Sequence, residues 1–295
     1  MATFIQLLVA GIAIGLIYAL CALGVNIIYK STKILLLAGG GLVLMPAYIA
    51  WVFVSWEAFP PALAIIVTFL LSAVLGWVLY RTTQHPLIGQ PLLAPAICTT
   101  MLWFLLRGVT FLIWGGNPRM FPSWLAGRDV LHFGPVNIPE VTVVALVACA
   151  LVVAVLMLYF KYSRGGLAMR VTAESHTIAE ILGIKVRRVF GNAWVICLLL
   201  FAVAGILTGA ITGISQDLDM IGVYGIVVAL LGGLESFTGA IVGGLLIGLA
   251  QTLVGGYLGA KLGGGIAEVV PFIIIWLVMY WRPYGLWGLV RIERI

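Results

Sequence analysis

Side chains that could carry out catalysis are sparse in this sequence and stand far apart. The three histidines, His85, His132 and His176, lie in three separate polar stretches, whereas an acid–base pair or a metal site needs its groups at a fixed short spacing. The patterns HExxH and GxSxG do not occur, and neither does the GxxxxGK[ST] loop that holds the phosphates of ATP. We therefore expect no catalysis, no metal or cofactor bound by this chain, and no ATP hydrolysis on it.

Polar side chains that could contact a solute stand inside long apolar runs. Arg107 interrupts the run 92–114, and Asn26 and Gln251 lie in two others. Such side chains either bind a neighbouring helix or line a polar path. We expect hydrogen bonds between helices at Asn26 and Gln251, and at Arg107 a position near the membrane interface or an ion pair. All three are also candidates for a translocation pathway.

The composition shows what kind of framework holds these residues. Of the 295 residues, 63% are hydrophobic and 9% are charged, and the mean hydropathy is +1.19, whereas soluble domains have about 25% charged residues. The net charge of +6 does not indicate nucleic acid, because the basic residues lie at the ends of apolar runs, where membrane proteins place them. The sequence predicts an all-α polytopic integral membrane protein, built as one transmembrane domain over residues 1–295.

About eight membrane segments, including a re-entrant half-helix, follow from the apolar runs. A span needs about 20 residues, and the stretch from Met1 to Tyr29 has no charged side chain. The loop 115–140 is expected on the membrane surface or as a short strand or helix. Glycines at four-residue spacing, such as Gly244 and Gly248, indicate close helix packing within the chain or, alternatively, a dimer seam. Spans are expected at 1–29, 34–56, 62–80, 92–114, 141–160, 192–214 and 237–257, and a last one at 270–281 together with the residues just before it.

The apolar region 223–257 is too short for two full spans at 1.5 Å per residue. The sequence Gly-Gly-Leu-Glu-Ser at 232–236 divides it, so we expect a short re-entrant helix at 224–231 and then a full span. A broken helix is tolerated at membrane depth only where protein or a water-filled cavity covers the freed backbone. Glu235 is expected to be either an exposed cap or a gate residue. The first candidates to line a translocation pathway are Gly232, Gly233, Glu235 and Ser236.

The segment 161–191 is the long polar stretch between apolar runs. It has six basic residues and two acidic ones, so the positive-inside rule places it in the cytoplasm. Its middle predicts a short helix, with Thr172 or Ser175 as the N-cap and Gly183 as the stop. Counting spans from this segment places the N-terminus and the acidic stretch 216–219 outside. The same count places the C-terminus in the cytoplasm, with Arg282, Arg291 and Arg294.

Several short motifs occur in a characteristic order. The polar segment contains Ala173-Glu174, Ala179 and Leu182-Gly183-Ile184. Before it stands Gly-Leu-Ile-Tyr-Ala-Leu at 15–20, and after it come Leu-Gly-Gly-Leu at 231–234 and Arg-Pro-Tyr-Gly-Leu at 282–286. With these motifs spread over most of its length, the chain resembles the permease subunits of branched-chain amino acid ABC importers. The resemblance implies a permease that moves branched-chain or other hydrophobic amino acids by alternating access.

The resemblance also implies partners and a coupling site. The permease would pair with a second permease subunit, homologous or identical, with two ATP-binding subunits that carry ATP and Mg, and with an extracytoplasmic solute-binding protein, at a bacterial inner membrane. The helix 172–183 would rest in a groove of the ATPase; the alternative is a basic helix lying on lipid headgroups. The residues that would couple to the ATPase are Thr172, Ala173, Glu174, Ala179, Leu182, Gly183 and Ile184.

Two further alternatives stay open. At 36–41 this chain has Leu-Leu-Ala-Gly-Gly-Gly where the family often has Asn-Phe-Ala-His-Gly-Glu, and relatives are associated with urea, short amides and aromatic acids. An importer of the same type for those solutes is the first alternative. The second is a stand-alone secondary transporter or channel, although ion coupling usually needs more intramembrane ionisable residues than this chain has.

Overall fold

The computed structural model describes residues 2–55, 60–91, 93–127, 129–133 and 136–288. Arg291, Arg294 and the expected end of the second span at Trp56 lie outside these ranges. The helices are α1 (Ala2–Thr32), α2 (Gly39–Val54), α3 (Pro61–Leu79), α4 (Leu93–Trp114), α5 (Ser123–Ala126), α6 (Glu140–Tyr162), α7 (Arg164–Glu174), α8 (His176–Ile181), α9 (Val186–Thr212), α10 (Asp219–Gly232), α11 (Phe237–Leu262) and α12 (Ile266–Trp281), and the strands are β1 (Val130–Phe133) and β2 (Val136–Pro139).

Six helical stretches of the described chain are long and apolar enough to cross a membrane. They are α1, α4, α6, α9, α11 and Pro61–Leu87, in which a π-helical turn and a 3-10 turn extend α3. The apolar helices α2 and α12 are shorter, with 16 residues each. Helices suit a bilayer because they satisfy their own backbone hydrogen bonds. The prediction of an all-α polytopic membrane protein is confirmed.

Two helices form the centre of the bundle. In their most apolar windows α1 is 72% buried and α9 is 67% buried, against 28% for α3, 22% for α4 and 28% for α6. The outer helices therefore leave most of their apolar surface for lipid or another subunit. Because α1 packs on α9, α10 and α11, it contacts both the other central helix and the two helices on either side of the break.

Glycine allows α1 and α11 to meet at backbone distance. A Cβ atom on Gly15 would lie 2.8 Å from the Gly244 carbonyl oxygen and 2.9 Å from the Cα atom of Leu245. Gly248 packs against the backbone of Gly11 and Gly15. Small residues permit such an approach in lipid, where burial of apolar surface gives no drive. Gly244 and Gly248 thus pack within the chain, as the first of the two interpretations predicts.

The second membrane segment differs from the predicted span 34–56. Its helix begins only at Gly39, and residues 33–38 are not helical. The Leu37 N–H donates to the hydroxyl of Thr99 in α4 at 3.3 Å, so another helix supplies a partner for this non-helical backbone. Hydropathy alone could not reveal the late start, because the first turn of α2 is placed by its close packing against α10 and α4.

The helix before the predicted break is longer than the expected re-entrant helix 224–231. α10 has 14 residues, which is about 21 Å at 1.5 Å per residue. It begins at Asp219, which is fully buried and belongs to the acidic stretch that was expected on the outer side of the membrane. The helix dipole favours an acidic side chain in a first turn, so the acidic residue starts the helix rather than delaying it.

The loop 115–140 contains both a short helix and short strands, the two kinds of element that the sequence predicts as alternatives. α5 is a single helical turn, and β1 and β2 form an antiparallel hairpin that pairs Val130 with Pro139. Arg119 and Ile214 exchange backbone hydrogen bonds of 2.8 Å and 2.7 Å. The loop is therefore tied to the residues that follow α9.

Candidate functional site

The junction between α10 and α11, residues 233–236, is held by a buried amide from α1. Asn26 is fully buried, and its Nδ2 donates to the carbonyl oxygens of Gly233 at 3.4 Å and Ser236 at 3.0 Å. The Ser236 hydroxyl accepts from the Gly239 N–H at 3.0 Å and caps α11. Gly233 has a φ of 94°, a conformation that favours glycine. The break in the helix pair is thus a defined structure fixed to α1.

An ion pair joins α1 to the same junction. Lys33 Nζ lies 2.6 Å from Glu235 Oε1, and the two side chains are 28% and 20% exposed. Close by, Lys30 Nζ stands 4.8 Å from the centroid of the Phe237 ring. Two lysines at the end of α1 therefore hold the start of α11. Glu235 is therefore bonded to another segment and is not a freely exposed cap; its role as a gate residue stays a prediction.

Reversing one charge of the Lys33–Glu235 pair is expected to lower the free energy of unfolding by about 1 kcal/mol. Glu235→Lys would place two like charges together, and a partly exposed pair contributes at most about 1 kcal/mol. The double variant Lys33→Glu/Glu235→Lys should recover most of the stability, because it restores the attraction. Thermal unfolding of the purified chain in lipid nanodiscs measures the effect, and Lys261→Glu, at the exposed end of α11, is the control. A double variant no better than the single ones would contradict a role for the pair.

The segment after α12 covers the end of α10. The Leu286 N–H donates to the Leu231 carbonyl at 2.8 Å, and the Trp287 N–H donates to the Gly232 carbonyl at 3.2 Å. Carbonyls at a helix end need such partners where water is excluded. Gly232 also packs against the backbone of Gly239. A cavity of about 240 Å³ adjoins the junction, lined by residues of α1, α10, α12 and this segment. Protein thus covers the freed backbone, and a small cavity lies beside it.

A second polar cluster lies at the opposite end of α10. Arg107 Nη1 in α4 lies 2.6 Å from Asp219 Oδ2, and Trp103 Nε1 donates to the same oxygen at 3.2 Å. The Asp219 side chain is 0% exposed and that of Arg107 is 41% exposed. Of the two expectations for Arg107, the ion pair is the one observed. The length of α10, about 21 Å, separates this cluster from the junction.

Asp219 is absent from the predicted site residues, although the sequence contains a signal for it. Arg107 is the basic residue inside a predicted span, and ionisable residues in membrane segments usually pair with one another. An acidic residue directly before an apolar helix, as Asp219 is, was therefore a possible partner. The sequence could not show that the two come together, because they lie on helices far apart in the chain.

Gln251 lies apart from both the junction and the Arg107–Asp219 cluster. Its Oε1 accepts from the Tyr18 hydroxyl at 2.8 Å, and the Tyr18 ring lies 5.3 Å from the ring of Tyr224. This bond joins α1 to α11, which is the packing role expected of Gln251. The pathway candidates thus do not form one site: Asn26, Gly232, Gly233, Glu235 and Ser236 gather at the junction, whereas Arg107 and Gln251 stand apart from it and from each other.

The predicted coupling helix 172–183 is formed by parts of two helices rather than by one. Ser175 caps α8, because its hydroxyl accepts a backbone N–H of the first turn at 3.3 Å. Gly183 follows α8 with a φ of 75°. Thr172 is not a cap: it lies inside α7, where its hydroxyl donates to the Ala168 carbonyl at 2.8 Å. Ser175 is the cap because its backbone is extended there, the conformation that an N-cap requires.

α8 presents apolar side chains to its surroundings. Ile178, Ile181 and Leu182 are 55%, 79% and 64% exposed, while Ala179 is buried. A cluster of exposed apolar side chains next to polar ones marks an interaction surface. We call Ile178, Ile181 and Leu182 the α8 face. Of the other predicted coupling residues, Glu174 and Gly183 are exposed, Thr172 is buried, and Ala173 and Ile184 are half-buried.

The first residue of α8 touches the end of α1. His176 Nε2 lies 3.1 Å from the Ser31 carbonyl oxygen, and its ring packs on that of Phe190 in α9 with centroids 5.4 Å apart. Ser31 belongs to the last turn of α1, two residues before Lys33. Through His176, α8 is therefore in direct contact with the helix that holds the junction.

The chain matches the family model of the permease component of the branched-chain amino acid transport system over residues 7–279. It is 27% identical to the high-affinity branched-chain amino acid transport system permease protein LivH of Salmonella typhimurium, over 99% of this chain and 98% of that protein. It is 28% identical to the corresponding protein BraD of Pseudomonas aeruginosa over the same shares. A probable branched-chain amino acid transport permease protein of Methanocaldococcus jannaschii is 27% identical, over 91% of this chain and 88% of that one.

A solved structure shares the fold. PsaBC from Streptococcus pneumoniae, determined in complex with Fab, superposes with a TM-score of 0.53 over 97% of this chain and 94% of that chain. The two sequences are 13% identical, so the likeness concerns the arrangement of helices alone.

Proposed function

This chain belongs to the family of permease components of branched-chain amino acid transport systems, and we propose that it moves branched-chain or other hydrophobic amino acids by alternating access. As a member of that family it is the permease of an ABC importer and a multi-pass membrane protein. In this proposal the energy comes from a pair of separate ATP-binding subunits, because the sequence has no ATP-binding loop.

The proposed assembly has four kinds of component. Besides this chain it contains two ATP-binding subunits with ATP and Mg, a second permease subunit, homologous or identical, and an extracytoplasmic solute-binding protein, at a bacterial inner membrane. The basic segment 161–191 and the C-terminus face the cytoplasm, and the N-terminus faces outside, following the positive-inside rule. The outward apolar surfaces of α3, α4 and α6 are available to lipid and to the second permease.

The α8 face is the observation that carries this proposal. Three large apolar side chains project from a short capped helix, in a protein whose other polar loops contribute no comparable helix in the described chain. A partner that covers them gains roughly 1.5–3 kcal/mol for each side chain fully buried. An ATPase groove is such a partner, and it would explain why a basic segment outside the membrane presents isoleucine and leucine.

The mechanism follows from the contacts between α8 and the junction. When the ATPases close around nucleotide, they move α7 and α8. His176 transmits the movement to Ser31 at the end of α1, two residues before Lys33. Because Asn26 and Lys33 hold the backbone and the Glu235 side chain of the junction, a shift of α1 moves the break between α10 and α11. The bundle then opens on one side of the membrane and closes on the other.

Placing charge on the α8 face tests the proposal. Ile181→Arg/Leu182→Arg is expected to reduce the ATPase that co-purifies with the permease by at least about ten-fold, since it would bury two unpaired charges in the interface. Both positions are mostly exposed, so the permease itself should fold. Leu131→Arg in the hairpin, also an exposed apolar position, is the matched control and should leave co-purification unchanged. If the double variant still co-purifies with the ATPase, α8 does not have the proposed coupling role.

A stand-alone secondary transporter is the rival function. It predicts that the purified chain, reconstituted in liposomes without any ATPase, accumulates leucine in response to an ion gradient. The importer predicts no accumulation until the ATP-binding subunits and ATP are present. Transport by the chain alone would contradict the proposed function.

A further inference from the structure

We propose that the cavity beside Arg107 binds an amino-acid zwitterion, with the Arg107 guanidinium taking the carboxylate and Asp217 taking the ammonium group. This inference rests on the proposed function and names the chemistry of its substrate. The cavity has a volume of about 590 Å³ and lies between α4 and the residues that lead into α10. We call it the α4 cavity; the lining residues that matter here are Phe104, Arg107, Gly108, Phe111, Gln216 and Asp217.

Arg107 is positioned in advance for an anionic group. Asp219 accepts from its Nη1 at 2.6 Å and is itself held by Trp103, so the guanidinium is fixed before a ligand arrives. A guanidinium has five N–H donors, and within the described chain only the bond to Asp219 uses one. The remaining donors and the 41% exposure of the side chain leave it free to bind a carboxylate bidentately.

The acidic groups around Arg107 select against a simple anion. Asp217 is exposed, lines the cavity and forms no ion pair with any described residue. Asp219 is bonded to the guanidinium and Asp217 lines the same cavity, so a ligand that carries only negative charge would be repelled. A ligand with both a carboxylate and an ammonium group fits this arrangement.

The rest of the lining suits a branched apolar side chain. The rings of Phe104 and Phe111 stand on the same side of α4 as Arg107, three or four residues away along the helix. Between them a Cβ atom on Gly108 would meet no atom within 4 Å, which leaves open space. Ligand pockets typically combine such apolar walls with a few polar groups that fix orientation. An uncharged polar solute such as urea would leave both the charges and the aromatic walls without a complementary group.

Cysteine labelling measures occupancy of the cavity without transport. Gly108→Cys in a Cys98→Ser background, purified in lipid nanodiscs, would react with N-ethylmaleimide, since the other native cysteines are buried. We expect leucine to slow this reaction, and 3-methylbutylamine, which lacks the carboxylate, and 4-methylpentanoate, which lacks the ammonium, to need about ten-fold higher concentrations or more. Gly264→Cys, also in open space but outside the cavity, should be unaffected by all of them.

Variants of the two charged groups complete the test. Asp217→Asn and Arg107→Lys should each weaken protection by leucine about ten-fold, while Asp217→Asn leaves protection by 4-methylpentanoate equal or stronger. Equilibrium binding of radiolabelled leucine to the wild-type chain supplies a second reading that needs no engineered cysteine. Equal protection by leucine and either analogue, protection by urea, or no protection at all would overturn the inference.

The two proposals fail in different ways. If the assembled importer transports leucine while leucine neither protects Gly108→Cys nor binds the wild-type chain, the cavity inference is wrong and the importer function stands. If the assembly does not transport amino acids, the proposed function is wrong whatever the labelling shows.

Discussion

Arg107→Leu is expected to lower the free energy of unfolding by about 3 kcal/mol. The change leaves the carboxylate of Asp219, whose side chain is 0% exposed, without its cation inside the bundle. Removing one partner of a buried ion pair costs about 3–5 kcal/mol, because the remaining charge is uncompensated; the lower value applies here because the guanidinium itself is partly exposed. Thermal unfolding of the purified chain in lipid nanodiscs, followed by tryptophan fluorescence, measures the loss.

A second substitution separates the buried charge from lost packing. Arg107→Leu/Asp219→Asn should recover most of the stability, since the double variant has no charge left to compensate. Arg81→Leu removes an exposed arginine that has no acidic partner in the described chain, so its effect should stay within about 0.5 kcal/mol. If the double variant is no more stable than Arg107→Leu, the ion pair is not what the single change breaks.

Gly15→Leu should be the most damaging change in the helix packing. Even the first atom of a side chain at this position would lie 2.8 Å from the Gly244 carbonyl oxygen, which is closer than nonbonded carbon and oxygen atoms tolerate. α1 and α11 would have to separate, and α1 also holds the junction and packs on α9. We expect little monodisperse protein after purification and, for the milder Gly15→Ala, a loss of about 1–3 kcal/mol from overpacking.

The matched control for Gly15→Ala lies on the partner helix. A Cβ atom on Gly259 in α11 would meet nothing within 4 Å, and alanine is a better helix former than glycine by about 1 kcal/mol. Gly259→Ala should therefore be neutral or slightly stabilising in the same unfolding assay. Similar stability of Gly15→Ala and Gly259→Ala would show that the helix crossing is not as close as described.

The membrane segments could be predicted because their length and hydropathy are local properties. The run 1–29 becomes α1 and the run 141–160 becomes α6, each within a few residues. The break at 232–236 could also be predicted, since consecutive glycines followed by polar residues favour the end of a helix. An apolar run of this length must cross the bilayer as a helix, so the apolar pattern is enough to predict these elements.

The ends of α2 and α10 could not be predicted, because contacts between distant segments set them. Residues 34–38 are as apolar as the neighbouring helices, but they are not helical. The Leu37 N–H donates a hydrogen bond to the Thr99 hydroxyl instead. Asp219 lies in a stretch whose acidity suggested exposure, yet Arg107 allows it to be buried. Hydropathy predicts that a charged residue contacts water unless its partner is known. The partner of Asp219 is Arg107, which lies on another helix.

In the coupling segment, too, some features could be predicted from the local sequence and others could not. Its position, its basic character and its stop at Gly183 follow from the sequence. Thr172 and Ser175 were equally good caps by residue type, and the choice depended on which backbone is extended. The α8 face could not be predicted, because α8 has only six residues and a helical pattern of apolar residues is recognisable only over a longer stretch.

The open backbone at 33–38 has a consequence for how the protein is made. A translocon releases segments into lipid in the order in which they are synthesised, and α2 leaves the ribosome before α4. Until α4 arrives, the Leu37 N–H lacks the Thr99 hydroxyl, and a backbone group that is buried without a partner costs about 1–3 kcal/mol. We therefore expect α1 and α2 to remain at the translocon, or to adopt a temporary helical connection, until α4 has been synthesised. Biogenesis of this permease would then include a waiting step that is set by one hydroxyl group.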